Sequence, residues 1–380
     1  MTKAMSLYLD GFRGVAALAV FLSHSTDKGI TGGFLSHLGI FGDDAVMAFF
    51  VLSGYVIAFS AENKHDTLND YVIARLSRLW SVVVPALVLT GVIDHFVGHQ
   101  LGSDAPYRDD SVYGYVLSAF FVNQIWLISV FPGSNSPFWS LSYEAFYYSF
   151  FAAVYYLSGR ARWLAAVAIL VIAGPKIVLL LPLWFLGVLA YEIGRKSLDQ
   201  TVGWWLWIGS FVGIGIYYIT HAKFAIDLMT PIRPPLDRVF NPQLGAKYLF
   251  SMLIFMNIVG FQIVGSRFSP LLTRAGKWLR LGGRYSFSLY LYHTPLLILF
   301  TALTRSGHGK WWSIAAIYIG TLSLIAVLAP LTESRKDILS VNLTRVIRKC
   351  QKNGTARTSK VIQPVSTTRN SSTGFRHDAR

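Results

Sequence analysis

The chain has 380 residues, of which 53% are hydrophobic, 15% aromatic and only 14% charged, with a formal net charge of +15. Soluble domains carry about 25% charged residues, so an ordinary water-soluble globular domain is excluded. The single cysteine, Cys350, lies in a polar stretch, which removes internal disulfides, cysteine metal clusters and a cysteine nucleophile within the apolar part.

Charge gathers in short clusters between apolar runs at 6–24, 44–60, 80–97, 112–131, 138–158, 163–174, 177–193, 204–220, 246–264, 285–303 and 312–331. Runs of about 18 or more apolar residues are long enough to cross a bilayer core of roughly 30 Å. The expected fold is therefore all-α and polytopic. The first run is followed by no small-residue cleavage pattern and is read as a retained helix.

That first run, LYLDGFRGVAALAVFLSH, carries Asp10, Arg13 and His24. An ionisable group in hydrocarbon costs about 2.5–3.5 kcal/mol on insertion scales, so each is a functional candidate. Arg13 and His24 are eleven residues apart, which puts them on one helix face about 16 Å apart along the axis. A guanidinium suits phosphate oxygens, and a neutral imidazole can act as general base. A long phosphate-bearing carrier with a reactive tip fits along this face. The plainer reading pairs Arg13 with Asp10 at the interface and leaves His24 as the outer helix end.

Arg75 and Arg78, in YVIARLSRLW, share a helix face just before the third run, as a phosphate clamp or an ordinary positive-inside anchor. The fourth run has Asn123 and Gln124 at its centre. Next comes PFWSLSYEAFYYSFF, with Ser140 or Ser142 as a helix cap and Glu144 in the first turn. Glu144 then enters an aromatic stretch, where a buried carboxylate needs a partner: an arginine, His24 or a sugar hydroxyl. RYSFSLYLYHTPLL carries Ser286, Ser288, Tyr290 and His293. The Ser and Tyr there also suit an interfacial belt, and His293 suits a donor to backbone freed by Pro295.

Basic residues set the topology. Lys64, Arg75 and Arg78 fall between the second and third runs, Arg160 and Arg162 after the fifth, Arg195 and Lys196 after the seventh, and Arg267, Arg274, Lys277, Arg280 and Arg284 before the tenth. From Asn342 onward there are nine Lys or Arg and one acid, Asp378. Eleven full spans cannot put all of these on the cytoplasmic side. The run at 112–131 is expected not to cross, because of its central Asn and Gln. The expectation is about ten spans, one re-entrant or lateral segment, and both termini cytoplasmic. Residues 1–335 form the membrane domain, and 336–380 a basic, disordered tail held near anionic lipid or simply solvated.

No P-loop, H-E-x-x-H or G-x-S-x-G signature is present, so an ATP-driven pump, a zinc protease and an α/β-hydrolase lack their marks. The motifs that are present, in order, resemble the acyltransferase-3 family of bacterial membrane proteins. Asp10-x-x-Arg13-Gly14 followed by His24 is similar to the family's opening R-x10-H signature, FFVLSGYVIAF to its second-helix motif, and Arg75-x-x-Arg78 to its R-x-x-R. FWSLSYEAFYY, with Trp139 and Glu144, is similar to its tryptophan-serine-glutamate motif, and YSFSLYLYHTPL to its closing motif. Ala45-Val46-Met47-Ala48 stands where many members carry a Gly-Val-Asp-Leu-like stretch. The role of that acid is either absent here or moved to Asp44.

The resemblance implies an O-acyltransferase of the bacterial inner membrane. Its donor is a cytoplasmic acyl-CoA, acetyl-CoA first, used as co-substrate; its acceptor is a carbohydrate or other small hydroxylated molecule. No metal and no nucleic acid are expected. With that donor, the expected arrangement has the coenzyme's phosphates near Arg75, Arg78 and the basic loop before the tenth run, Arg13 further in toward the pantetheine or pyrophosphate, His24 as base or acyl carrier, and Glu144 orienting His24 or holding the sugar. Asp10, Asp44, Trp139, Ser288, Tyr290 and His293 are support, with Ser or Tyr hydroxyls as oxyanion donors. Some members carry a fused extracytoplasmic hydrolase-like domain; none is read here, so transfer is expected to finish in the membrane domain or pass to a partner. The competing class is a transporter or flippase of a lipid-linked or anionic solute, told apart by the Arg13–His24 spacing within the motif set.

Overall fold

The computed structural model describes residues 1–101, 112–196, 198–220, 243–335 and 337–345. The long helices are α1 (Lys3–Ser25), α2 (Gly42–Lys64), α3 (Leu68–Leu101), the short α4 (Val112–Ala119), α5 (Trp139–Tyr156), α6 (Gly159–Ala173), α7 (Pro175–Ile193), α8 (Gln200–Ile219), α9 (Leu244–Val264), α10 (Gly276–Leu303) and α11 (Trp311–Thr332). No strand occurs among the described residues. Local signals start and stop the helices. The Thr2 hydroxyl caps α1 by accepting from Met5 N at 3.2 Å. The Thr67 hydroxyl does the same for α3, accepting from Asp70 N at 3.2 Å. Gly174, with φ +79°, ends α6, and Pro175 opens α7.

The surface is inverted relative to a water-soluble protein. Val84, Val88, Val92 and Phe96 form an exposed stripe on α3, and Trp205, Ile208, Val212, Ile216 and Ile219 cover the outside of α8. Stripes of this length and apolarity on spanning-length helices fit a lipid environment. The polar groups Ser142, Ser288, His293 and Asn257 are buried inside. Among the described residues, eight helices are long and apolar enough to span. Of the expected ten, the remaining candidates are α5 and α6, with 18 and 15 residues.

The run at 112–131 does break. Its helix stops at Ala119, and Phe121 and Trp126 adopt positive φ. The cause is the buried pair Asn123 and Gln124, whose side-chain amides donate to Val130 O at 3.0 and 3.3 Å and fold the chain back on itself. Lys176 Nζ donates to Ile128 O at 2.6 Å and pins this segment to α7.

Close helix contacts fix the interior. A Cβ on Gly54 of α2 would lie 2.1 Å from Trp184 O, and one on Gly187 of α7 would lie 1.9 Å from Val51 O. Only glycine permits that approach. A Cβ on Gly14 of α1 would lie 3.1 Å from Gly282 Cα of α10, a tight approach though a less absolute one. Helix α1 thus lies along α10, bringing the first and closing motifs together. Pro295 within α10 cannot donate to Leu291 O. The Asn135 side chain donates there instead, at 2.8 Å. His293 is therefore not the donor to the freed carbonyl; its Nδ1 bonds Leu289 O at 2.9 Å.

Within the expected disordered tail, residues 337–345 are helical. Asp337 and Ser340 face a cavity, while Ile338 and Val341 point outward, a two-sided pattern that favours a helix at an interface. The rest of the tail, with Cys350, lies outside the described residues.

Candidate active site

Helix α1 carries one site residue to each of two cavities. Near its start, Arg13 opens on a cavity of about 470 Å³ lined also by Ser6, Asp10, Lys64, His65, Arg75 and Arg78. This mouth narrows to a cavity of about 60 Å³ where Arg13, Arg75 and Arg78 meet Ser53, Glu144, Tyr148 and Tyr290. At the other end of α1, His24 lines a cavity of about 700 Å³ with Ser23, Asp27, Thr294, Arg305 and His308. The expected spacing of Arg13 and His24 therefore holds on one unbroken helix.

The inner cavity has three guanidiniums against one carboxylate. Arg75 donates through Nη2 to Ser60 Oγ at 3.0 Å and contacts His65 Nε2 at 3.1 Å. Arg13 and Arg78 make no hydrogen bond or ion pair among the described residues, so their donors stay available to a ligand. Asp10 does not pair with Arg13. The ion pairs among the described residues are Arg195–Glu62, Arg195–Glu192 and Lys247–Asp43. Asp10 packs instead against Gly283 of α10, where an added Cβ would lie 2.6 Å from its own.

Glu144 accepts from Ser53 Oγ at 2.8 Å and from the Tyr148 hydroxyl. It lies in the second turn of α5, among the arginines and away from His24, so it does not orient that imidazole. Neither serine caps α5: Ser140 bonds the Tyr290 hydroxyl at 2.7 Å, and Ser142 donates to Phe121 O at 2.6 Å. The Tyr290 hydroxyl donates to Pro137 O at 3.0 Å. The Ser140 and Tyr290 protons are thus used within the fold, which argues against either as an oxyanion donor.

Between the two cavities stands one aromatic layer. The Tyr290 ring, on the inner side, lies 6.3 Å from the His293 ring, which lies 5.0 Å from that of His24. His293 is fully buried, and its Nε2 is 3.2 Å from His24 Nδ1. The remaining expected residues sit apart from both cavities. Asp44 is buried and accepts from the Tyr217 and Tyr218 hydroxyls of α8 at 3.3 and 2.9 Å. Trp139 packs edge-on against Tyr143. Ser288 donates to Glu333 Oε2 at 2.8 Å.

Ser53, Tyr148 and His65 stand at the inner site beside the residues expected from sequence. Ser53 had a signal, a hydroxyl inside the apolar FFVLSGYVIAF stretch. Tyr148 sits one turn after Glu144, at the spacing where helix side chains meet. His65 follows the C-terminus of α2 and gave none.

A family model described as an acyltransferase domain, that of acyltransferase-3, matches residues 6–330. The acyltransferase MdmB of Streptomyces mycarofaciens is 27% identical over 84% of this chain and 86% of its own length. A Bacillus subtilis (strain 168) protein named for peptidoglycan O-acetyltransfer, YrhL, is 23% identical over 83% of this chain but 52% of its own length. A Staphylococcus aureus (strain COL) protein named for O-acetyltransfer is 29% identical over 38% of this chain and 24% of its own. No solved structure matches.

Proposed function

The chain belongs to the acyltransferase-3 family and is a membrane O-acyltransferase; from that premise, we propose that it moves an acyl group, acetyl first, from cytoplasmic acyl-CoA to a hydroxyl of an exported carbohydrate. The observation that carries the proposal is α1 itself, with Arg13 at a cation-rich inner cavity and His24 at a wide outer one. A carrier with phosphates at one end and a thioester at the other matches that polarity. On this reading the protein sits in the bacterial inner membrane with both termini cytoplasmic, the orientation that the bias of the basic clusters favours.

The coenzyme's phosphates bind at the mouth, where Arg78 and Arg13 offer free donors beside Arg75. The pantetheine arm runs along α1 through the narrow cavity. At its tip the acceptor oxygen attacks the thioester carbon, and His24 Nε2 takes the hydroxyl proton. Collapse of the tetrahedral intermediate breaks the carbon–sulfur bond, and His24 returns the proton to the thiolate. The products are an ester and free coenzyme A. A route through an acyl-histidine uses the same residues in two steps. The glycan acceptor is favoured by the relative named for peptidoglycan and by an outer cavity of about 700 Å³ with hydroxyl, imidazole and guanidinium groups in its wall.

The test is transfer of label from radiolabelled acetyl-CoA to glycan in membranes with wild type or His24→Ala at matched protein levels. Transfer by wild type that His24→Ala loses supports the reading. Equal transfer in both removes His24 from the chemistry, and consumption of acetyl-CoA by neither removes the donor.

A further inference from the structure

The buried His293 has no part in the reaction as written, yet its ring nitrogens are both engaged. Its Nδ1 lies 2.9 Å from Leu289 O, a group that can only accept. In the neutral ring the proton therefore sits on Nδ1, and Nε2 is an acceptor. That acceptor lies 3.2 Å from His24 Nδ1. His24 Nδ1 also lies 3.0 Å from Val20 O, a second acceptor. Two acceptors facing one nitrogen require that nitrogen to carry the proton. The lone pair of neutral His24 is then on Nε2, which has no hydrogen-bond partner among the described residues, on a side chain that lines the outer cavity.

We infer that His293 is a positioning residue which holds His24 in the Nδ1–H tautomer and presents Nε2 as the base. The inference rests on the functional reading above. The chain of donors runs His24 Nδ1–H to His293 Nε2, then His293 Nδ1–H to Leu289 O. It is the same logic as a carboxylate fixing a catalytic imidazole, with a neutral ring in place of the carboxylate. When His24 takes the acceptor's proton at Nε2, its Nδ1–H keeps both acceptors, so the cation forms without rearrangement. A neutral partner also avoids a second buried charge in the membrane. Gly14 and Gly282 serve this geometry, since only a close approach of α1 and α10 brings residues 269 apart in sequence into contact.

The experiment measures label transfer from acetyl-CoA to membrane glycan by the full chain carrying His293→Leu, His293→Gln or His24→Ala, at matched, monodisperse protein. Outer partners that orient metal-ligating histidines are worth about 10–100-fold; by analogy, His293→Leu should lower the rate at saturating acetyl-CoA by about that factor. The half-saturating acetyl-CoA concentration should stay within about twofold. In His293→Gln the side-chain carbonyl replaces Nε2 as acceptor, and the rate should return to within about fivefold of wild type. A purely space-filling role predicts the reverse order, because leucine suits an apolar site better than glutamine does. Leucine at the wild-type rate, or glutamine no better than leucine, overturns the inference. If His293→Leu does not fold, glutamine alone decides: a rate near wild type supports the inference, and one at the His24→Ala level overturns it. Should His24→Ala match wild type, the functional reading fails and the inference falls with it. An inactive His24→Ala beside a fully active His293→Leu sinks the inference alone.

Discussion

The inner and outer cavities lie one aromatic layer apart yet are built on opposite principles. The inner one is small and crowded with charge, and Ser53, Tyr148, Ser60 and His65 hold its carboxylate and one of its arginines in place. The outer one is more than ten times larger, about 700 against 60 Å³, and His24 is held there from behind, by Val20 O and His293. Rigid, charged and narrow suits a single repeated ligand whose phosphates never change. Wide and loosely lined suits a bulkier, hydroxylated acceptor. On the proposed reading, the difference separates donor recognition from chemistry along α1, so substitutions at its two ends should divide cleanly between binding and turnover.

The strongest test of that division is at the outer end. His24→Ala should lower turnover by about 10²–10⁴-fold, the usual worth of a general base, while acetyl-CoA binding to purified protein, read by calorimetry, stays within a few-fold. Loss of donor binding in this variant would break the separation. At the inner end, Arg78→Ala should raise the half-saturating acetyl-CoA concentration about 10–100-fold, the range expected for one lost charge-assisted hydrogen bond of 1.5–3 kcal/mol, with turnover at saturation nearly kept. Arg78 is the cleaner probe than Arg75, which also bonds Ser60 and His65.

Much of this partition is legible in the sequence, and its limits have physical causes. The α1 face needs only helix geometry, so the eleven-residue spacing of Arg13 and His24 is sufficient to place them. The break in 112–131 is legible because Asn123 and Gln124 in an apolar run demand partners. What pairs across the fold is not legible. The partner of His24 is 269 residues away, and that of the carbonyl freed by Pro295 is Asn135, 156 residues from Leu291. Asp44 illustrates the same gap. Its position beside the second-helix motif points to chemistry, but the tyrosines of α8 absorb it. Helix periodicity says which residues share a face and leaves open which other helix that face meets.

Glu144 sharpens the comparison with a smaller effect. Its motif suggests a catalytic carboxylate, yet it lies with the arginines. Glu144→Gln keeps an acceptor for Ser53 and Tyr148 and removes only the charge. The expected outcome is a change of less than about tenfold, carried by the acetyl-CoA concentration dependence and not by turnover at saturation, since single interactions with charged groups are worth about 1.5–3 kcal/mol and this substitution keeps the hydrogen bonds. A turnover loss as deep as that of His24→Ala would return Glu144 to the chemistry and merge the two regions.

The smallest effect comes from the rim of the inner mouth. His65 follows α2, outside the spanning segments, and contacts Arg75 through Nε2. Burial first, and the Arg75 guanidinium second, hold its imidazole below the ordinary histidine range. A folded-state value below that of the unfolded chain means that protonation favours unfolding. The stability that neutral His65 contributes is therefore fully present above about pH 6.5, the unfolded value, and is lost as pH falls through the folded value. Protonated His65 also turns from an acceptor for Arg75 into a like charge beside it, which should loosen the donor clamp. As pH falls through the lowered folded-state value, the acetyl-CoA concentration for half-saturation should rise a few-fold in wild type and much less in His65→Gln, which cannot titrate. The melting temperature in detergent should likewise fall more steeply with acidification in wild type than in the variant. Parallel pH curves for the two proteins would detach His65 from the arginine clamp and leave the inner cavity's order to Ser53, Ser60 and Tyr148.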